Sequence, residues 1–294
     1  MKKILVTGAS GFIGRNVAES YLKDKYELFT PNRSELDCSD DESVNRYFAT
    51  HSFDVVIHSA AKPGHRNAAD TTSLLLTNSR MIFNLLKHQD KWGKFLNMGS
   101  GAIYDMRHYE PKMKESYFGT YIPADEHGYN KYILGKFLPQ LEHVYDFRIF
   151  GIFGKYEDYA IRFISNAICK AIHDLPITLR QSRRFDYLYI DDLMPILEHF
   201  IENDPTEKSF NITPDSSIEL LEIAKIVKRI SGKNIDIRVA QEGLGMEYSG
   251  DNGLLRSEYS SVNFTPIEVA IGNLYSWYES NKASIDRNLL ITDK

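Results

Sequence analysis

The sequence predicts an α/β protein, a Rossmann-type doubly wound parallel sheet with a smaller mixed α/β lobe towards its C-terminus. Three observations predict it. First, an apolar run at 4–6 passes straight into Thr7-Gly8-Ala9-Ser10-Gly11-Phe12-Ile13-Gly14 and then into a helix-period segment. Second, short apolar runs and helical segments alternate as far as Gly154, the pattern of βαβ units. Third, that alternation weakens beyond Gly154, where a second lobe begins.

The elements are expected in this order. A helix at 16–25 follows the first turn, then a strand at 27–30, a helix at 43–49 and a strand at 55–57. The helix at 78–89 carries Ile82, Leu85 and Leu86 on one face. A strand at 94–98, a helix at 129–142 and a strand at 147–153 complete this part. Further on, helices are expected at 159–174, 193–202 and 220–230, a strand at 185–189 and a glycine-rich loop at 243–253. Residues 1–154 then form the sheet domain, with roughly 186–212 returning to it, and 155–185 and 213–294 form the second lobe.

Composition narrows the function. Of 294 residues, 43% are hydrophobic, enough to bury a full core. The net charge of −5 gives no basic field for nucleic acid or an anionic membrane. Cys38 and Cys169 make neither a C-x-x-C nor a zinc spacing, and suit a reducing compartment. The first apolar run stops at Thr7-Gly8, unlike a signal peptide. No stretch approaches the ~18–20 apolar residues of a membrane span. A cytoplasmic protein is expected.

The glycine turn carries the first chemical signal. Its first glycine permits the tight turn, the second lets a pyrophosphate approach the backbone, and the third lets helix and strand pack closely. The helix start then offers free N–H groups to an anion. Gly8, Ser10, Gly11, Phe12 and Ile13 are the expected phosphate-binding residues.

The spacing Gly-x-x-Gly-x-x-Gly, with Gly-Phe-Ile-Gly, resembles the extended short-chain dehydrogenase/reductase family, in its nucleotide-sugar epimerase, dehydratase and reductase branch. His58-Ser59-Ala60-Ala61 resembles the stretch that passes under the cofactor, and Asn78 opens the family's next helix. Met98-Gly99-Ser100-Gly101-Ala102-Ile103-Tyr104 resembles its serine strand. Arg148-Ile149-Phe150-Gly151-Ile152-Phe153-Gly154 resembles its Arg-x-x-Asn-x-Tyr-Gly segment, with Gly151 at the asparagine. The resemblance covers nearly the whole chain. It implies a dinucleotide cofactor held partly by Ser59, Ala60, Ala61 and Asn78, and a homodimer formed through a four-helix bundle.

The second strand selects the cofactor. Sites for NAD usually end this strand with an acid that holds the ribose hydroxyls. Here it runs Phe29-Thr30-Pro31-Asn32-Arg33, and a guanidinium suits a 2′-phosphate. NADP(H) is therefore expected, with Arg33 as phosphate ligand and Ser10 and Asn32 nearby, the alternative being that Arg33 is a surface charge. Residues 33–37 also resemble the matching stretch of the NADPH-using GDP-fucose synthases, and Asp37 and Cys38 fall where the family contacts adenine.

Family chemistry needs a serine, a tyrosine and a lysine four residues after the tyrosine. Ser100 fits the serine. Register makes Lys131 the lysine, which places His127 where the tyrosine belongs. A second frame, Tyr132 and Lys136, has the right residue types but cramps the chain before Arg148. A histidine titrates near neutral pH and is a possible proton donor. Alternatively the activity is impaired, or Tyr129 swings in.

The residues after Ser100 bear on the reaction. By resemblance, sugar dehydratases carry Asp-Glu there, and GDP-fucose synthases a cysteine at the second position. Gly101 and Ala102 transfer no protons, and the partner histidine of the fucose synthases falls near Arg162. Hydride transfer at C4 of a nucleotide-linked keto sugar remains, by an NADPH reductase or by a 4-epimerase that keeps its cofactor bound. Arg162, Asn166, Arg180, Arg183 and Arg184 lie where the family binds the nucleotide diphosphate of its sugar substrate. Each could also be a solvated charge. Residues 249–252 are further candidates, whereas His65 and Arg66 read as loop residues. Asp191-Asp192 looks like a metal pair but matches a helix-capping turn in the family, and no metal is expected.

Overall fold

The computed structural model describes residues 1–64, 70 and 72–291. The first part comprises β1 (Lys3–Thr7), α1 (Phe12–Glu19), α2 (Leu22–Lys25), β2 (Glu27–Phe29), α3 (Asp41–Thr50) and β3 (Phe53–His58). It continues with α4 (Leu74–Leu86), β4 (Trp92–Met98), α5 (Glu126–Phe137) and β5 (Val144–Ile149). Then follow β6 (Gly151–Phe153), α6 (Phe163–Ile172), β7 (Ile177–Ser182), β8 (Arg184–Phe185), β9 (Tyr187–Tyr189), α7 (Ile190–Glu202) and β10 (Ser209–Ile212). The last elements are β11 (Ile218–Glu219), α8 (Leu220–Ser231), β12 (Ile237–Leu244), α9 (Gly253–Glu258), α10 (Ile267–Ser280) and α11 (Arg287–Ile291).

Among the described residues, six strands form a parallel sheet in the order β10-β5-β4-β3-β1-β2. Its side chains alternate between two cores. Ile4, Val6, Val55, Ile57, Leu96, Met98 and Phe147 face Val17 of α1 and Leu193, Leu197 and Phe200 of α7. Leu5, Val56, Phe95 and Val144 face Val44 and Phe48 of α3, Leu85 of α4 and Leu134 of α5. Burying such a side chain fully is worth about 1.5–3 kcal/mol, so both faces need their helices. The expected doubly wound sheet is therefore present. The outermost strand, β10, enters only after β6–β9 and lies parallel to β5, Phe210 opposite Phe147.

Several expected boundaries move. The helix read at 16–25 starts at Phe12 and breaks at Ser20, whose hydroxyl donates to the Val17 carbonyl (2.7 Å) and accepts from Leu22 N–H (3.3 Å). A side chain competing with the backbone ladder in this way ends a helix. The strand read at 147–153 divides at Phe150, because β5 joins the large sheet whereas β6 pairs with β9. The strand read at 185–189 divides at Asp186, a buried carboxylate that accepts from Gly250 N–H (2.6 Å) and the Thr213 hydroxyl. The helix read at 159–174 starts only at Phe163, after a turn in which Asp158 accepts from Ala160 N–H (3.0 Å). The helix read at 129–142 starts at Glu126, capped by Asp125. The loop read at 243–253 follows a strand, β12, which pairs with β7. No helix of the described residues is long and apolar enough to cross a membrane.

Candidate active site

The sheet directs the C-terminal ends of β1, β3, β4 and β5 to one edge, where ligands of doubly wound folds bind. At β1, Gly8 adopts φ +70°, and a Cβ there would lie 2.7 Å from the Ala60 backbone. A Cβ on Gly14 would lie 2.4 Å from the Gly8 carbonyl oxygen and 2.7 Å from Ser59 Oγ. The Ser59 hydroxyl donates to the Thr7 carbonyl at 2.7 Å, so the turns after β1 and β3 are locked together. Gly11 N–H donates to the Gly8 carbonyl (2.9 Å), and α1 starts with no side-chain cap. Ser10 and Gly11 are exposed, with Phe12 and Ile13 half-buried beside them. An exposed, uncapped helix start behind glycines that tolerate no side chain fits a dinucleotide pyrophosphate.

Asn78 acts on the loop after Ala61. Its amide accepts from Lys62 N–H (2.7 Å) and donates to the Lys62 carbonyl (3.2 Å), both groups of one residue's main chain. At the other side of β1, Asn32 Oδ1 accepts from Ser34 N–H at 2.8 Å, forming a tight turn after β2. The Arg33 guanidinium is 81% exposed and reaches Asp37 at 2.9 Å. An exposed pair of this kind is weak, which leaves Arg33 free to turn to a phosphate. Cys38 is buried, and burial raises its thiol to about 12. Cys169 is buried too, and both thiols are free. His65 and Arg66 lie outside the described residues.

Ser100, two residues beyond β4, caps a short turn, accepting from Ala102 N–H at 3.1 Å. The first turn of α5 rests on this turn: a Cβ on Gly128 would come 2.8 Å from the Ala102 carbonyl oxygen, and one on Gly135 would strike Ile103. Both glycines therefore permit the approach that brings α5 to Ser100. Lys131, between them on that face, sits near His58 at the end of β3 and Asp146 within β5. Burial lowers its pKa and Asp146 opposes the shift. His58 is held at about 3 by burial and then by the Lys131 charge, and its Nδ1 pairs with the Thr7 hydroxyl at 2.8 Å. His127, one turn before Lys131, is half-buried, and its Nδ1 has no hydrogen-bond partner among the described residues. Burial, then Lys131, lowers its pKa, so the ring is uncharged at neutral pH. Lys136 is exposed, 4.8 Å above the Phe118 ring, and Tyr132 packs on Phe118 at 5.2 Å. Tyr129 is 41% exposed.

Across from α5, Arg162 immediately precedes α6, which has no side-chain cap, and its charge acts on His127. Asn166 donates to the Tyr159 carbonyl (3.0 Å), holding the turn before α6. Arg180 is exposed on β7, and Arg183 is half-buried. Arg184 is held by Ser217 Oγ (3.0 Å) and faced by Glu247 at 3.8 Å. Ser249 to Asn252 spend their groups inside the protein: Asp251 N–H donates to the Met113 carbonyl and Asn252 to the Thr213 carbonyl. Asp192 accepts from Thr265 N–H (2.9 Å) and hydroxyl (2.6 Å), a structural tie. Tyr248 was not singled out by sequence, yet its hydroxyl stands beside that of Ser100. No local pattern marks a tyrosine so far along the chain.

Comparison with known proteins adds the following. Residues 4–213 match the sequence model of the NAD dependent epimerase/dehydratase family. The chain is 22% identical to a GDP-L-colitose synthase of Yersinia pseudotuberculosis, over 95% of this chain and 99% of that protein. Its fold resembles that of a GDP-mannoheptose C4 reductase from Campylobacter jejuni determined with NADP bound, at 18% identity and a TM-score of 0.82, covering 95% and 98% of the two chains. It also resembles a UDP-glucose 4-epimerase from Thermotoga maritima, at 20% identity and a TM-score of 0.80, covering 95% and 99%.

Proposed function

The chain belongs to the NAD dependent epimerase/dehydratase family, and on that premise we propose that it is a cytoplasmic NADPH-dependent reductase acting at C4 of a nucleotide-linked 4-keto, 6-deoxy sugar. Such a reaction serves surface-polysaccharide or deoxysugar biosynthesis. The observation that carries this reading is Gly101-Ala102 after Ser100. Neither residue carries a proton-transfer side chain of its own, which suits hydride transfer at C4 better than elimination or epimerisation at neighbouring carbons.

A nicotinamide dinucleotide bound at the sheet edge would supply the hydride. The residues from Gly8 to Ile13 would hold its pyrophosphate, and Arg33, Ser10 and Asn32 its 2′-phosphate. Asp37, Cys38, Ser59, Ala60 and Ala61 would flank it, with Asn78 fixing the loop. Lys131 would hold the nicotinamide ribose, and Ser100 the sugar oxygen. His127 takes the tyrosine's place as an uncharged ring. Arg162, Asn166, Arg180 and Arg184 would receive the nucleotide diphosphate. The division follows function: 1–154 with 186–212 binds the cofactor, and 155–185 with 213–294 the sugar nucleotide.

The histidine at 127 favours a second reading, a member with impaired catalysis. The test is a screen of GDP-, dTDP-, UDP- and CDP-linked 4-keto-6-deoxy sugars, following NADPH absorbance. Turnover of one of them supports the reductase. Cofactor that resists dialysis, with no net NADPH consumption, points to a 4-epimerase. NADPH binding without turnover points to the impaired member.

A further inference from the structure

The space that a side chain at position 101 would take is filled from the other lobe. A Cβ on Gly101 would lie 2.7 Å from the Tyr248 hydroxyl and 2.8 Å from the Phe150 ring. Tyr248 belongs to the segment between β12 and α9, and its hydroxyl stands with those of Ser100 and Tyr109. Its ring lies 4.9 Å from Tyr109 and 5.1 Å from Phe150, and the Tyr109 hydroxyl donates to the Gly101 carbonyl. The segment is held firmly: Tyr248 N–H donates to the Arg184 carbonyl (2.9 Å), Gly250 N–H to Asp186 (2.6 Å) and Asp251 N–H to the Met113 carbonyl (2.8 Å).

His127 is a poor source for the proton that a ketone needs. A neutral imidazole gives up a proton only to a very strong base, and burial with the Lys131 charge keeps this one neutral.

We propose that Tyr248 is the proton donor of the reduction, a role taken over from position 127. This rests on the C4-reductase reading above. The hydride, with its electron pair, adds to the carbonyl carbon. The carbonyl π pair takes the Tyr248 proton and becomes the new O–H bond, while the O–H bond of Tyr248 breaks and leaves its pair as phenolate. The phenolate, which stands beside the Ser100 and Tyr109 hydroxyls, is restored by a solvent proton. Burial raises the Tyr248 phenol, so it stays protonated until the sugar oxygen gains alkoxide charge.

The test compares the wild type with Tyr248→Phe, Gly101→Ala and the pair Tyr248→Phe with His127→Tyr. Each is assayed with NADPH and the nucleotide-linked 4-keto-6-deoxy sugar that the wild type turns over best. NADPH affinity and melting temperature are measured alongside. Tyr248→Phe should lose kcat by about 100-fold or more, the scale of a lost general acid, with NADPH affinity and melting temperature held. Gly101→Ala, which crowds the Phe150 ring as well as the Tyr248 hydroxyl, should lose kcat on the same scale with NADPH affinity held and the melting temperature lowered. The added tyrosine at 127 should recover at least about tenfold. Independently of turnover, NMR of isotope-labelled tyrosine should show the signal that Tyr248→Phe removes moving in Gly101→Ala. A Tyr248→Phe enzyme with kcat within about threefold of wild type, well short of a lost acid, overturns the proposal. So does a Tyr248→Phe loss shared by NADPH affinity and melting temperature, or a Tyr248 signal unmoved by Gly101→Ala. If the wild type binds NADPH but reduces none of the four sugar classes, the reductase reading falls and this proposal with it.

Discussion

A Cβ on Gly14 would lie 2.4 Å from the carbonyl oxygen of Gly8, closer than any side chain tolerates. The helix start and the β1 turn can meet only because position 14 is bare. Gly14→Ala is expected to push α1 away from the turn, costing about 1–3 kcal/mol of stability through overpacking. It should weaken NADPH binding by about tenfold or more, since about 1.4 kcal/mol is tenfold. Fluorescence titration with NADPH and a thermal melt of the same sample check both effects.

Arg33 holds Asp37 only in solvent, so its charge is available to a phosphate. Arg33→Ala should raise the NADPH dissociation constant about 10- to 100-fold, the value of hydrogen bonds to a charged partner. The NADH constant should not change. Parallel titrations with the two dinucleotides decide this, and equal loss for both would place Arg33 outside the site.

The exposed side of α4 and α5 carries Leu76, Phe83, Tyr129 and Phe137, with the Phe83 and Phe137 rings 5.1 Å apart. If two copies pair there as a four-helix bundle, Phe83→Glu buries a charge in the contact. It should convert a dimer to a monomer in sedimentation, with the fold retained by circular dichroism.

Burial raises the Asp186 carboxyl to about 7, against partial opposition from its Thr213 and Gly250 hydrogen bonds. Glu157 is raised in the same way, to about 8. An acid with a raised folded pKa is protonated in the fold while the unfolded chain has already lost its proton. Its stabilising contribution is complete below the unfolded pKa and is lost as pH rises through the folded one. Melting temperature should therefore fall between about pH 4 and pH 8 on account of these groups. Asp186→Asn keeps the shape without the charge. It should gain at least about 1 kcal/mol over the wild type at pH 8, one pKa unit's worth, and little at pH 4. Melts at the two pH values check the sign.

The fold was legible where its cause is local. Gly8 announces the turn through its own positive φ, and Gly11 and Gly14 because each meets the Gly8 carbonyl within a few residues. The preference for Lys131 over Lys136 rests on register alone. Ser20 was not legible, since a serine inside a helical pattern does not declare that its hydroxyl will take the backbone's partners. Strand β12 was hidden because all of its residues but Ile237 are exposed, so no burial imposes a regular alternation of apolar and polar side chains on it. Tyr248 was hidden for another reason. Its place beside Ser100 depends on Asp186, Arg184 and Met113, three anchors scattered along the chain, and no spacing encodes such a meeting.

The late arrival of β10 has a consequence for biosynthesis. Until residue 212 has left the ribosome and folded back, the growing polypeptide carries β5 as a bare border with its main-chain hydrogen-bonding groups unclaimed. A nascent chain in that state is adhesive towards its neighbours on the polysome. Shortening the gene before codon 212 should give aggregates rather than a smaller soluble cofactor binder.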